Sequence, residues 1–167
     1  RIVTYVGSII AVVALVILAI RFFGKADTDT TCEFQPFRQE QAAGLVDDGA
    51  VIVYERNGGA SCIDELYGVY ADGRIVGDNG VEIVEKQITP EEVDRLLKYI
   101  VDLRWFTDNM YSTSHLPCRV CYHYFTTVTY NGEAKTVEAV DGGTDAPSEY
   151  WLMTGQFNTI FPKFSEK

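Results

Sequence analysis

The sequence predicts an α+β protein in which a single N-terminal transmembrane helix precedes an antiparallel sheet with two helices packed on one face. Two observations lead to this prediction. Residues 2–20 form an uncharged run of 19 residues, and short β-branched segments separated by turn dipeptides follow it. Helical stretches interrupt those segments twice, which gives the order meander, helix, hairpin, helix. We predict an anchor over residues 1–25, a linker over 26–49 and an extracytoplasmic domain over 50–167.

The anchor prediction depends on residues 2–20, which carry no charge, and on Phe22 and Phe23, which extend the apolar stretch past Arg21. A helix of about 20 such residues rises ~30 Å, the thickness of the hydrocarbon core. A cleaved signal peptide is the alternative. The apolar run exceeds the ~7–15 residues usual for one, and no A-x-A cleavage site follows it. We therefore expect a retained membrane helix.

Charge and cysteine content bear on the orientation of the anchor. Arg21 and Lys25 follow the span, so the positive-inside rule taken alone places the C-terminal part in the cytoplasm. Residues 26–167, however, contain four Cys and set 24 acidic residues against 11 basic ones, which favours an oxidising outer compartment. We expect a single-pass protein with a periplasmic domain. Its acidity argues against nucleic-acid binding, because it would repel phosphate.

Small side chains recur along the predicted membrane helix. Gly7, Ser8, Ala11 and Ala14 share one helix face, where another helix can approach closely. Gly and Ala are also frequent in membrane helices in general, which is the alternative explanation. We predict contact with transmembrane helices of other subunits as well as with membrane lipid.

In the middle of the chain the sequence predicts a polar linker and then a β-meander. The stretch from Phe37 to Leu45 is compatible with a short helix inside the linker. Turn residues such as Asp72-Gly73 then separate β-branched segments, and they supply the positive φ that tight hairpins need. The predicted strands of the meander are residues 50–56, 66–71, 74–76 and 81–85.

The pattern changes to a helix at Thr89-Pro90-Glu91-Glu92, which has the form of a capping box. Apolar residues then recur with helical spacing, at i, i+3, i+4, i+7 and i+8 from Val93. This stripe predicts a helix that covers a sheet. Its apolar positions are Val93, Leu96, Leu97, Ile100 and Val101.

A second hairpin and a final helix complete the predicted domain. Strands over residues 121–130 and 133–140 flank the turn Asn131-Gly132. Alternate residues of the first strand should lie on one face and pack across strands. The last helix is predicted over 146–161, with Asp145 as its cap and Pro162 at its end. The alternating residues of the first strand are Tyr122, Tyr124, Thr126, Val128 and Tyr130.

The order of these segments and a few short strings resemble a known family. A strand ending in Arg56-Asn57-Gly58-Gly59 comes before a tyrosine strand that ends in the string Tyr-Ala-Asp-Gly-Arg at 70–74. A helix beginning Pro-Glu-Glu at 90–92 then leads into Trp105-Phe106, and a Tyr-rich strand, a strand closing on Asp141-Gly142 and a last helix follow. Over residues 50–161 the chain resembles small bacterial domains of the emfourin type, which are inhibitors of thermolysin-like metalloproteases. The resemblance implies a protein-binding α+β domain, and it assigns no inhibitory residue here.

Cysteine and histidine cluster in one segment, which holds His115, Cys118, Cys121 and His123. A C-x-x-C pair is half of a structural zinc site, and Cys32 or Cys62 would have to complete it. In an oxidising compartment disulfides are the favoured interpretation. All three pairings of the four Cys stay open: Cys118 with Cys121, Cys62 with Cys118 and Cys32 with Cys121, or Cys62 with Cys121 and Cys32 with Cys118. The disulfide candidates are therefore Cys32, Cys62, Cys118 and Cys121.

No complete catalytic motif is present. Ser112 and Ser114 lie near His115, but no nucleophile elbow accompanies them. The acidic pairs Asp47-Asp48 and Asp64-Glu65 lack the spacing of a calcium loop, so we interpret them as solvated surface. We predict no catalytic, metal-binding or cofactor-binding residues, no cofactor and no small-molecule substrate.

These observations leave two functions open. The first is a non-catalytic, membrane-anchored accessory subunit of a larger bacterial membrane protein complex, of which an electron-transport complex is one example. The second, implied by the resemblance, is a membrane-tethered protease inhibitor or protein-binding module of the emfourin type. An enzyme is the least supported function.

Overall fold

The computed structural model describes residues 37–107, 110, 121–141 and 146–161. The chain divides into two compact units, Arg1–Thr30 and Thr31–Lys167, and every element described here belongs to the second unit. The elements in chain order are α1 (Gln39–Asp47), β1 (Ala50–Gly58), β2 (Ile63–Tyr70), β3 (Arg74–Asp78), β4 (Ile83–Gln87), α2 (Pro90–Asp102), β5 (Tyr122–Tyr130), β6 (Glu133–Val140) and α3 (Ser148–Ile160).

The strands form one six-stranded antiparallel sheet with the order β4-β3-β2-β1-β5-β6. Sequential hairpins build β1 to β4, as the turn dipeptides predict. The second hairpin then adds its β5 strand to the free side of β1, with Tyr54 opposite Thr126. This places β1 in the interior of the sheet and leaves β4 and β6 at its edges. The predicted α+β class with an antiparallel sheet is confirmed.

The main core lies on the sheet face that carries Ile52 and Tyr54, which we call the core face. Buried residues of α2 and α3 join this face in one cluster, together with the fully buried Trp105. The stripe predicted for α2 is confirmed at Val93, Leu96, Leu97 and Ile100. In the Tyr-rich strand, Tyr124 and Val128 are buried in this cluster, and Tyr122 and Tyr130 pack against it.

A smaller core covers the opposite face, which we call the outer face. Ala42 of α1 packs there with Val53 and Leu66, and Phe37 stacks on Phe125 with ring centroids 4.4 Å apart. The short helix considered from Phe37 to Leu45 is therefore formed at Gln39–Asp47, and it makes a third helix in the described part of the chain. Residues 37–49, which the sequence assigned to the linker, belong to the folded unit, because apolar positions alternate on both faces of the central strands.

The helix ends show where local signals decide the structure. The capping box at α2 is confirmed: the Glu92 N–H donates to Thr89 Oγ1 at 3.2 Å, and the Thr89 N–H donates to Glu92 Oε2 at 2.7 Å. The N-cap of α3 is Pro147, with no side-chain hydrogen bond. The prediction that Asp145 is the cap is therefore wrong, and the predicted stop Pro162 lies outside the described residues.

None of the helices in the described ranges has both the length and the apolarity needed to cross a bilayer. The predicted membrane helix, with its face of Gly7, Ser8, Ala11 and Ala14, falls outside those ranges. It stays a prediction from the sequence.

Two glycines allow a matched test of this packing. A Cβ at Gly77 in β3 would lie 2.1 Å from Tyr67 Cδ1 and 2.7 Å from the Leu66 carbonyl oxygen, whereas a Cβ at Gly155 in α3 meets nothing within 4 Å. We expect Gly77→Ala to lower the free energy of unfolding by about 1–3 kcal/mol through overpacking. Gly155→Ala should raise it by about 0.5–1 kcal/mol, because alanine is the better helix former. Urea midpoints measure both changes, and a shift of the same sign in both variants would contradict the packing.

Candidate functional site

Charged side chains converge at one end of the sheet, where β1 carries three polar residues in a row. Glu55 and Asn57 lie on the outer face and Arg56 lies on the core face. Glu55 and Asn57 are fully buried, and the side chain of Arg56 is 19 % exposed. Charges in such positions must be paired, because the effective cost of removing an ion from water is several kcal/mol. The partners come from different elements on the two faces.

On the outer face a cluster of three carboxylates surrounds Arg38, and we call it the Arg38 cluster. The Arg38 backbone N–H donates to both carboxylate oxygens of Glu55, at 3.2 and 3.1 Å. Its guanidinium lies 3.2 Å from a carboxylate oxygen of Asp64 and 3.3 Å from one of Asp78. Asn57 Nδ2 donates to Glu55 at 3.3 Å. The cluster therefore fixes the chain just before α1 onto the first three strands.

The ionisation of Glu55 follows from these contacts. Burial raises the pKa of its carboxyl, while the backbone hydrogen bond and the charge of Arg38 oppose the rise. Three carboxylates share one guanidinium here, so the Arg38 cluster has an excess of negative charge when all of its groups are ionised.

On the core face Arg56 pairs with Glu65, its partner across the β1–β2 ladder. The Arg56 Nε–H donates to Glu65 Oε1 at 2.5 Å, and the guanidinium lies 5.3 Å from the centre of the Tyr122 ring. Glu65 Oε2 is buried and has no hydrogen-bond partner in the described part of the chain. Burial raises the pKa of Glu65 to about 7, and Arg56 opposes that rise.

The burial of Glu65 corrects one interpretation made from the sequence. The sequence predicts that the pair Asp64-Glu65 is solvated surface, but Glu65 is only 2 % exposed. A signal for this was present in the alternation of β2, where Glu65 shares a strand face with the buried Tyr67 and Val69. The other pair, Asp47-Asp48, is exposed at the end of α1, as predicted.

Phenol hydroxyls accompany the ion pair on the core face. Burial raises the pKa of Tyr124 to about 12, and it raises the pKa of Tyr150 above its ordinary value too. These phenols therefore stay protonated at neutral pH. The Tyr150 hydroxyl shares a 3.2 Å hydrogen bond with Thr126, which ties α3 to β5. The perturbed groups on this face are thus part of the packing between helix and sheet.

The cysteine prediction can be followed at two of its four positions. Cys62 and Cys121 are both disulfide-bonded, and neither is a free thiol. They belong to neighbouring segments, since the Gly59 N–H donates to the Cys121 carbonyl and the Cys62 N–H donates to the Gly59 carbonyl. Cys32, Cys118 and the predicted His115 lie outside the described residues, so the pairing stays a prediction.

Metal-ligating side chains do not assemble into a site in the described ranges. Within those ranges no set of three or more His, Cys, Asp and Glu side chains is arranged to hold a metal ion. A shallow open depression lies between Ala71 and the start of α2, where the acids Glu91 and Asp94 line it with Leu97. The other residues that line the depression are apolar.

One edge of the sheet exposes apolar side chains. Val81 and Ile83, in the β3–β4 turn and at the start of β4, are 84 % and 70 % exposed. Leu152 on α3 is 56 % exposed, but it lies on a different surface. The strand predicted over residues 81–85 forms at Ile83–Gln87, and the exposure of its apolar residues is not part of that prediction. The signal was the position of the segment at the end of the meander, next to Glu82 and Glu85.

No protein-family model matches the chain, and no curated protein matches it.

The Arg38 cluster can be tested by removing its buried acceptor. We expect Glu55→Ala to lower the free energy of unfolding by about 2–4 kcal/mol, because the Arg38 N–H and guanidinium lose a buried partner. Glu40→Ala, at an exposed position in the first turn of α1, is the matched control and should change stability by less than about 0.5 kcal/mol. Urea unfolding measures both. Equal, small effects would show that Glu55 does not hold the segment.

The pKa of Glu65 predicts how stability depends on pH. Between about pH 4.5 and 7 the folded state keeps a proton on Glu65 that the unfolded state has lost. Stability should therefore fall as pH rises through this window and level off above it. In Glu65→Gln this contribution is absent, so the difference between the variant and the parent should vary with pH only inside the window. Urea midpoints from pH 4.5 to 8.5 provide the test, and a difference that is independent of pH would contradict the assignment.

Proposed function

We propose that the chain is a non-catalytic, membrane-anchored accessory subunit of a larger bacterial membrane protein complex, with the folded domain on the periplasmic side. The observation that carries the proposal is the uncharged run of residues 2–20, which has the length of a membrane helix. The small residues on one face of that run supply a surface for a neighbouring helix. An electron-transport complex is one assembly that uses subunits of this kind.

The chemistry of the folded domain supports a binding role. Its buried charges are engaged in holding the fold together: Glu55 fixes the chain before α1, and Glu65 pairs with Arg56 across two strands. Cys62 and Cys121 are disulfide-bonded, which suits an oxidising compartment. A protein of this kind acts through its surfaces.

A second candidate function is a membrane-tethered protease inhibitor or protein-binding module of the emfourin type. The strings at residues 56–59 and 70–74 favour it through their resemblance to that family. The two candidates differ in what the purified chain does. A subunit migrates with a large assembly after mild detergent extraction, whereas an inhibitor binds a thermolysin-like protease as a single chain.

The membrane face gives a test with a matched control. Gly7→Leu and Ala11→Leu should release the chain from its assembly, because leucine prevents close approach of two helix backbones. Val12→Leu, one position from Ala11 and off the small face, should leave the assembly intact. Native sizing of detergent extracts measures the release, and circular dichroism checks that the domain stays folded. If both small-face variants assemble normally, attachment through this helix face is wrong.

A further inference from the structure

At the outer edge of β4, large exposed apolar side chains meet an open strand edge of the described sheet. In the described part of the sheet β4 pairs with β3 alone. Val81 and Ile83 lie at its beginning and are mostly exposed to solvent. Such a surface combines side chains that gain from burial with backbone groups available for pairing.

The turn that presents these residues is held by its own side chains. Asn79 Oδ1 accepts hydrogen bonds from the N–H groups of Val81 and Glu82, at 2.9 and 2.8 Å. Asp78 Oδ1 accepts one from Gly80 at 2.8 Å. Val81 is therefore directed outward by a hydrogen-bonded turn. Binding of a partner there would cost little conformational entropy in this turn.

Negative charge surrounds the exposed pair. Glu82 and Glu85 are exposed, and the side chains of Asp64 and Asp78 are each 40 % exposed while sharing the single guanidinium of Arg38. The cation of β4, Lys86, lies on the opposite face of the strand from Glu85, and its Nζ donates to the Ile160 carbonyl at 2.6 Å. The outer face at this edge is thus apolar at its centre and acidic around it.

We infer that β4 accepts an added strand from a partner protein, and that the partner segment combines apolar residues with lysine or arginine. The added strand would pair with the free backbone groups of β4, as in β-strand addition. Its apolar side chains would cover Val81 and Ile83, and its basic side chains would lie opposite Glu85 and Glu82. The inference rests on the proposed binding function, to which it adds a surface and a partner chemistry.

The same charges disfavour a second copy of the chain at this edge. Antiparallel pairing of two β4 strands with their side-chain faces matched brings Glu85 opposite Glu85, Ile83 or Gln87 in the central registers. Each register keeps the acidic rims of both copies together. Like charges placed across two strands destabilise the pair, so a partner of opposite charge fits better.

The test uses the full chain in a nonionic detergent and a fluorescent synthetic peptide of valine and isoleucine interspersed with lysines. We expect saturable binding that weakens at high salt, because exposed charges are screened. Glu85→Lys should weaken binding about fivefold, in line with the modest energies of exposed ion pairs. Ile83→Thr should weaken it to a similar extent. A peptide with glutamate in place of lysine, and one with proline at central positions, should not bind.

Two control variants separate this edge from other surfaces. Glu133→Lys changes an exposed acid on β6, the other edge strand, and Leu152→Thr removes the exposed leucine on α3. Both should bind the lysine peptide within twofold of the parent chain. Binding of the peptide to empty micelles is subtracted.

Several outcomes would overturn the inference. Absence of saturable binding, equal binding by Glu85→Lys and the parent, or loss of binding in Glu133→Lys alone would overturn the inference. So would a dimer of the parent chain that Ile83→Thr converts to a monomer, since a second copy would then occupy the edge. Failure of the chain to migrate with a large assembly contradicts the proposed function instead. An assembly that forms normally with Ile83→Thr and Glu85→Lys contradicts only the role of β4.

Discussion

The constraint on which this fold depends is the placement of charge inside a central strand. Strand β1 has neighbours on both sides and is covered on both faces, yet it carries Glu55 and Arg56 next to each other. Consecutive strand residues point to opposite faces, so one partner cannot neutralise both. Glu55 is satisfied by the segment before α1, and Arg56 by Glu65 of the neighbouring strand. The contact of Glu55 with Arg38 attaches the outer layer to the sheet, and the Arg56–Glu65 pair favours one register of the β1–β2 hairpin.

This register has a further consequence, because a slip by one residue would turn Arg56 and Glu65 to opposite faces. Each charge would then be buried without its partner, which costs far more than the pair contributes. The pair is therefore better understood as a selector of the correct ladder than as a source of net stability. Beside this pair, Phe161 stacks on Tyr54 and Tyr67, and this apolar contact favours the same pairing of β1 with β2.

Features that depend on adjacent residues could be predicted from the sequence, whereas features that depend on contacts between distant segments could not. Asn131, with φ of 52°, and Gly73, with φ of 89°, adopt the left-handed conformations that their dipeptides require. The capping box at Thr89 likewise depends on four adjacent residues. The burial of Glu65 and the docking of α1 depend instead on which strands become neighbours. The sequence around β5 does not indicate that this strand pairs with β1. The polar partners on both faces of the central strands could therefore not be predicted from the sequence.

The position of β5 in the sheet also affects the order in which the chain can fold. Strands β1 to β4 are contiguous in sequence and can pair with one another before β5 is available. The other side of β1 pairs with β5, which follows β2, β3, β4 and α2 in the sequence. Until then β1 is an unpaired edge rich in β-branched residues, the kind of edge on which nascent chains associate. The interval between the arrival of β1 and that of β5 in the compartment where the domain folds is therefore the one in which this edge is open to association.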